Sequence, residues 1–171
     1  MTQHFKHQVT GRTEYLTPKY IIDEIGPFDL DPCASVIRPW PTAAKHYTIN
    51  DGGLAQEWEG FVWLNPPYGR EEPEWVERFM LHGNGIALLS ASKTETKMWH
   101  DWIWPKMWAI VFLRGRIRFC NVDGTETPSS FGPSCLVAAG GDAARRLGSM
   151  KSPGFFIRLA GRYLPLDGET I

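Results

Sequence analysis

Cysteine is scarce in this sequence. Only three of the 171 residues are cysteines, Cys33, Cys120 and Cys135, and no two of them form a CxxC pair. An odd number without that spacing argues against a disulfide framework and against a zinc site. The five histidines are scattered. We therefore predict reduced thiols in a cytoplasmic protein and no metal site.

Long apolar runs are also missing. No uninterrupted apolar stretch is long enough to cross a bilayer. The first residues, MTQHFKHQVTGRTE, lack the apolar segment of a signal peptide. Both absences predict a cytoplasmic protein with no membrane partner.

Positive charge is not in excess. Lys and Arg number 18 against 19 Asp and Glu, which gives a net charge of -1. The chain therefore lacks the global positive field of many nucleic-acid-binding proteins. A polyanionic partner would have to be bound by a local patch.

Aromatic residues, glycine and proline are plentiful. The chain has eight Trp, 17 Gly and 13 Pro, and 43% of its residues are hydrophobic. This composition predicts a folded, loop-rich protein rather than a disordered one. At roughly 150 residues per domain, the length predicts one domain over residues 1–171, with residues 1–13 loosely ordered.

Alternating strand and helix signals run along the chain. Thr17-Pro18 is typical of a helix start, and Gly26-Pro27 of its end. A short strand-like piece follows at 28–31, and residues 36–50 look irregular. Apolar runs without polar alternation predict buried strands, and apolar pairs spaced four residues apart predict helices. The strands are 61–64, 86–89 and 109–113, and the helices are 73–81 and the segment from a Thr94 cap to Pro105.

This order predicts an α/β fold. Strands that alternate with helices form a mostly parallel sheet, with right-handed crossovers and helices on both faces. Residues 134–138 predict a last strand that returns antiparallel. Ligands bind such sheets beyond the carboxyl ends of the strands.

The tetrapeptide Asn65-Pro66-Pro67-Tyr68 follows the strand at 61–64. Its two prolines fix the backbone and remove two N–H donors, so that carbonyl acceptors remain beside an amide and an aromatic ring. Such a site suits methyl transfer to a planar amine. The Asn65 side-chain oxygen and the Pro66 carbonyl would accept the two amino hydrogens, and Tyr68 would stack on the ring. A rigid turn without chemistry is the alternative.

With these motifs, the sequence resembles the phage-type DNA adenine-N6 methyltransferases over residues 14–139. The resemblance rests on five segments in the family's order. They are Thr17-Pro18, 28–34 (FDLDPCA), 63–69 (WLNPPYG), the Thr/Lys/Trp stretch 94–99 and 115–119 (GRIRF).

The resemblance implies a Rossmann-like fold and S-adenosylmethionine as cofactor. It places Asp31 near the ammonium group of the cofactor, and Asp51 on its adenine amine. As an alternative, each aspartate could form a turn and make no contact with the cofactor. The implied cofactor-binding set is Thr17, Pro18, Asp31, Pro32, Cys33, Ala34, Asp51 and Asn65. The sequence departs from the usual cofactor fold in having no GxG turn after the first strand, and no residue is assigned to the ribose.

The resemblance also implies double-stranded DNA as substrate, in the cytoplasm of a host cell if the chain is phage-encoded, with no obligate protein partner. The target adenine would be flipped out of the duplex. The candidate phosphate contacts are Lys93, Lys97, Arg114, Arg116 and Arg118. The arginines could instead protect a solvated sheet edge. Two further functions stay open: methylation of RNA or of a protein Gln side chain, and a non-catalytic nucleic-acid-binding module that has lost the cofactor.

Overall fold

The computed structural model describes residues 14–128 and 132–159. The expectation for residues 1–13 lies outside these ranges. Within them the chain forms four α-helices, a π-helical segment and seven strands. The helices are α1 (Lys19–Ile25), α2 (Glu72–His82), the π-helical segment (Trp99–Ile103), α3 (Trp104–Lys106) and α4 (Gly141–Gly148). The strands are β1 (Leu30–Asp31), β2 (Lys45–His46), β3 (Val62–Leu64), β4 (Gly85–Ser90), β5 (Ala109–Leu113), β6 (Ser134–Ala139) and β7 (Gly154–Arg158).

All seven strands form one sheet in the order β2-β1-β3-β4-β6-β5-β7. Strands β2, β1, β3 and β4 pair in parallel, whereas β6 is antiparallel to both of its neighbours, β4 and β5. The predicted α/β, Rossmann-like architecture is confirmed. Three details were not predicted. Strand β2 forms within residues 36–50, which were expected to be irregular. Strand β6 lies between β4 and β5, and a further antiparallel strand, β7, pairs with the outer side of β5.

Helices cover both faces of the sheet, as predicted. Residues of α1 and α4 join one apolar cluster, and residues of α2 and the π-helical segment join the other. The sequence of strand β3 lacks polar alternation because both faces of the strand are buried. Trp63 packs into the first cluster, Val62 and Leu64 pack into the second, and all three are at most 1% exposed.

The helical segment predicted from Thr94 to Pro105 begins and ends later than expected. Helical residues start at 97, so Thr94 does not cap the segment, and the chain stays helical past Pro105. Pro105 lies inside α3, which continues to Lys106. The preceding residues are π-helical, with the Trp104 N–H bonded to the Trp99 carbonyl, and a wider turn of this kind shifts the carbonyls that a helical proline would otherwise meet. Trp99 is fully buried, so the expected core role of this segment is confirmed. No helix in residues 14–128 and 132–159 is long and apolar enough to cross a membrane.

Candidate active site at the carboxyl edge of the sheet

The candidate residues meet at one edge of the sheet. Because β1, β3 and β4 are parallel neighbours, the segments that follow Asp31, Leu64 and Ser90 leave the sheet side by side, with strands about 4.8 Å apart. Strand β6 is antiparallel to both β4 and β5, so β5 also ends at this edge. This is the edge at which open α/β sheets bind ligands.

Asn65 is the first residue after β3, and its side chain is only partly satisfied. Its Nδ2 donates to Thr17 Oγ1 at 3.3 Å. Its Oδ1 is buried and has no hydrogen-bond partner among the described residues. A buried oxygen without a partner costs about 1–3 kcal/mol. The fold therefore leaves one amide acceptor unsatisfied at the strand end.

Thr17 has a different role from the one its position predicts. It is 2% exposed and does not cap α1, whose N-cap residue is Pro18 with no side-chain hydrogen bond. The prediction of a capping hydroxyl is wrong, because the hydroxyl instead accepts the Asn65 amide. The Thr17-Pro18 element thus orients Asn65.

The two prolines and Tyr68 complete the turn. Pro66 is buried, Pro67 is half-buried, and Tyr68 is 46% exposed. Burial around the phenol group raises the pKa of Tyr68, and the negative charge of Glu72 raises it further. Tyr68 is therefore neutral across the physiological range and keeps part of its ring open to a planar group.

Asp31, the last residue of β1, is 4% exposed. One carboxylate oxygen accepts the Thr42 hydroxyl, and the other accepts the Cys33 N–H at 3.1 Å. Burial raises the pKa of Asp31 to about 6, although both hydrogen bonds and the charge of Arg38 act in the opposite direction. None of the described cationic groups forms an ion pair with it. Asp31 therefore forms a turn and has no cation within ion-pair distance among the described residues.

Cys33 connects the turn after β1 to the turn after β3. Its Sγ donates to the Asn65 carbonyl at 3.1 Å, and the next residue, Ala34, donates its N–H to Tyr47 at 2.8 Å. Burial raises the pKa of the Cys33 thiol well above its usual range, so the group is an inert spacer. Pro32 and Ala34 are buried beside it.

A glycine from another loop provides the close approach that the missing GxG turn would give. A Cβ atom on Gly53 would lie 1.8 Å from the Pro32 carbonyl oxygen. Only glycine allows the loop after β2 to pack this closely on the turn after β1. Sequence reasoning treated this glycine as part of a turn. The adjacent glycines Gly52 and Gly53 were the sequence signal that could have indicated this close approach.

Replacing Gly53 by alanine should displace Pro32, because the backbone there has no room for a methyl group. We expect a loss of about 1–3 kcal/mol in the free energy of unfolding. Gly52→Ala is the matched control, since Gly52 has a φ of +65° and open space around its Cβ position. It should cost about 1 kcal/mol of backbone strain. Urea denaturation measures both, and equal effects would contradict the packing argument.

Asp51 lies next to these glycines and forms a turn. Its Oδ2 accepts the Thr48 N–H at 2.8 Å and the Thr48 hydroxyl at 2.7 Å. These bonds lower the pKa of the exposed Asp51 carboxyl. The turn-forming alternative thus describes the observed contacts. Contact with a cofactor stays a prediction.

The five basic candidates differ in their pairing. Lys93 contacts Glu72 at 2.6 Å, Lys97 contacts Asp101, and Arg118 is 3.8 Å from Glu126. Arg114 and Arg116 are exposed and form no ion pair with another described residue. Strand β5 itself is covered by β7, whose pairing ends at Leu113, before the arginines.

The arginine segment is tied to the site by a short backbone bridge. Leu16 and Cys120 exchange two N–H···O bonds of 2.8 and 2.9 Å. Leu16 precedes Thr17, which contacts Asn65. Arg118 is therefore two residues from a bridge whose other strand leads directly to Thr17, the partner of Asn65. Ile117 and Phe119 are buried while Arg116 and Arg118 are exposed, as the expected alternation requires.

Two partners in the site were not predicted, the half-buried Thr42 and the buried Glu72. Thr42 comes from the irregular segment before β2, and its contact with Asp31 depends on tertiary folding alone. Glu72 was expected in a loop, yet it begins α2 and is 1% exposed. Among the described residues, no group of three or more His, Cys, Asp or Glu side chains could hold a metal ion.

Comparison with known families gives one finding. A family model described as DNA N-6-adenine-methyltransferase (Dam) matches residues 7–140, more than half of the chain. No curated protein and no solved structure matches. The matched range includes the Asn65 turn, Asp31 and the segment 114–118.

Proposed function

Because the chain belongs to the DNA N-6-adenine-methyltransferase (Dam) family, we propose that it transfers a methyl group from S-adenosylmethionine to the N6 amine of adenine in double-stranded DNA. The observation that carries the proposal is the unpartnered, buried Asn65 Oδ1 at the end of β3, beside an exposed Tyr68 ring. An amino hydrogen would satisfy this oxygen.

The residues around Asp31 fit the cofactor. S-adenosylmethionine supplies an electrophilic methyl group on a sulfonium and carries an ammonium group. The buried Asp31 carboxylate, which lacks a counter-ion among the described residues, fits that ammonium. Asp51 would contact the adenine end. The remaining lining would come from Thr17, Pro18, Pro32, Cys33, Ala34 and Asn65.

Activation of the amine requires acceptors rather than a base. The amine lone pair of adenine is delocalised into the ring, so it is a weak nucleophile. Asn65 Oδ1 and the Pro66 carbonyl would each accept one amino hydrogen and draw the nitrogen towards tetrahedral geometry. This exposes the lone pair for in-line attack, and the rigid Pro66-Pro67 backbone holds both acceptors in place beforehand.

Tyr68 would hold the flipped base. An adenine inside a duplex cannot reach a sheet edge, so it must be rotated out of the stack. Tyr68 is 46% exposed as a residue, and its hydroxyl is protonated. Stacking on such a ring stabilises an unpaired base by about 1–3 kcal/mol.

The unpaired arginines are the best candidates for phosphate contacts. Arg114→Ala/Arg116→Ala should weaken DNA binding and reduce the slope of log affinity against log salt by about 2, because each phosphate contact contributes about one to that slope. Titration by fluorescence anisotropy at several salt concentrations measures this. Arg145→Ala on α4 is the control, since that arginine is paired with Asp142 at 2.8 Å. An unchanged slope in the double variant would argue against these contacts.

The direct test of the function is transfer of label from radioactive S-adenosylmethionine to duplex DNA, RNA and protein offered separately. We expect label in DNA alone, recovered as N6-methyladenine after hydrolysis. Label only in RNA or in a Gln side chain would replace the proposed substrate. Calorimetric titration that detects no cofactor binding would favour the non-catalytic module instead.

A further inference from the structure

Glu72 is the most deeply buried charged residue among those described, and the proposed mechanism leaves it without a role. It begins α2, four residues after Tyr68, and is 1% exposed. Its Oε2 accepts Lys93 Nζ at 2.6 Å, whereas its Oε1 is buried with no hydrogen-bond partner among the described residues. Buried ion pairs contribute little stability compared with apolar side chains of similar size. Stability of the fold therefore does not account for the pair.

The Glu72–Lys93 pair links the catalytic turn to the neighbouring strand. Glu72 stands at the start of α2, directly after the turn 65–69, and Lys93 follows β4. The pair thus ties the segments that leave β3 and β4 at the carboxyl edge. The N-terminal end of α2 also favours the Glu72 carboxylate.

The two members of the pair differ in exposure. The Lys93 side chain is 38% exposed, while the Glu72 side chain is 2% exposed. An ammonium group has three N–H donors, and the contact with Glu72 leaves others available on the open side. Glu72 therefore fixes a cation that solvent, or a ligand, can still reach.

From this geometry we propose that Glu72 is a positioning residue for the target nucleotide: it holds the Lys93 ammonium beside the Tyr68 turn, where Lys93 contacts a phosphate that flanks the flipped base. The inference rests on the proposed function and adds a role to it. Lys93 then differs from Arg114 and Arg116, which have no partner in the described chain. It acts at the base pocket rather than along the duplex.

The test compares Lys93→Met, Glu72→Gln and the double variant. Glu72→Gln keeps the lysine but removes the carboxylate that holds it, so its KM for DNA should rise towards that of the double variant. Lys93→Met should lower the Tm, because it leaves a buried carboxylate without its partner. The double variant removes both charges at nearly constant shape, so its Tm should return close to that of the wild type. Its KM for DNA should nevertheless stay about tenfold higher, as expected for the loss of one charge-assisted phosphate contact. Lys93→Arg should restore most of that loss.

A second readout follows base flipping without methyl transfer. A duplex with 2-aminopurine at the target position should become brighter on binding the wild type, and less so on binding the double variant. Asp142→Asn/Arg145→Met removes the ion pairs of Asp142 with Arg145 and Arg146 on α4 and should change neither KM nor brightness. Asp142 and Arg145 are 2.8 Å apart and lie away from the site.

The outcomes separate the two proposals. A Glu72→Gln variant with wild-type KM and full 2-aminopurine brightness would overturn the role of Glu72 and leave the proposed function intact. A wild type that brightens 2-aminopurine but methylates no adenine would overturn the proposed function, while the fluorescence comparison would still decide the role of Glu72. A wild type that neither binds DNA nor changes the fluorescence would overturn both.

Discussion

Asn65→Ala should lower the rate of methyl transfer about 10²–10³-fold, the range seen when an enzyme loses one preorganised polar partner of the reacting group. The variant removes the buried Oδ1, which has no other described partner to lose. The only described side-chain hydrogen bond of Asn65 is the 3.3 Å contact of Nδ2 with Thr17. The free energy of unfolding should therefore change by only about 1 kcal/mol.

Single-turnover kinetics with a labelled cofactor would measure this effect free of product release. Asn84→Ala is the matched control. Asn84 is also a half-exposed asparagine, and its Nδ2 donates to the backbone carbonyl of Gly60. Asn84 directly precedes β4, so it lies at the opposite edge of the sheet. The Asn84→Ala variant should keep the wild-type rate. An Asn65→Ala enzyme with full activity would overturn the proposed chemistry, and one that fails to fold would show that Asn65 is structural.

The sequence predicted the position of the turn 65–68 because the local signals agree. Strand β3 is apolar without alternation since both of its faces are covered, and two prolines end it abruptly. Where a buried strand ends in a rigid turn, the following side chains must lie at a sheet edge. The position of Asn65 was therefore predictable without any knowledge of tertiary contacts.

The supporting residues were not predictable in the same way. Thr42 reaches Asp31 across the irregular segment before β2, and Gly53 meets Pro32 across more than twenty residues. No local sequence pattern predicts either contact. The insertion of β6 between β4 and β5 is also a long-range choice, since a strand that returns antiparallel can pair on either side of its predecessor. Local propensity decides the elements, and packing decides their partners.

Ionisation of the Asp31 carboxyl should make the affinity for the cofactor depend strongly on pH. Burial raises its pKa from 3.8 to about 6, so the carboxyl is protonated below that value in the free protein. An ammonium group needs the ionised form. The affinity for S-adenosylmethionine should therefore fall about tenfold per pH unit below about pH 6, and it should level off above it.

The free energy of unfolding of the cofactor-free protein should instead decrease as the pH rises. A pKa that is higher in the folded state than in the unfolded state favours folding below the unfolded value of 3.8, and this contribution is lost as the pH rises through about 6. Relative to Asp31→Asn, the free wild type should thus lose stability between about pH 4 and about pH 7. The increase in Tm caused by the cofactor should grow over the upper part of that range.

Asp31→Asn is the decisive variant because it keeps the shape and removes the charge. It should bind the cofactor on the order of a hundredfold more weakly at neutral pH, as expected when a buried charge pair loses one partner. In this variant, neither the free energy of unfolding nor the affinity for S-adenosylmethionine should change in a step near pH 6. Calorimetry in two buffers of different ionisation enthalpy would also detect the proton that the wild type releases on binding near pH 6. If affinity for the cofactor shows the same pH profile in both proteins, Asp31 does not hold the ammonium group, and its burial serves only the turn that it forms with Thr42 and Cys33.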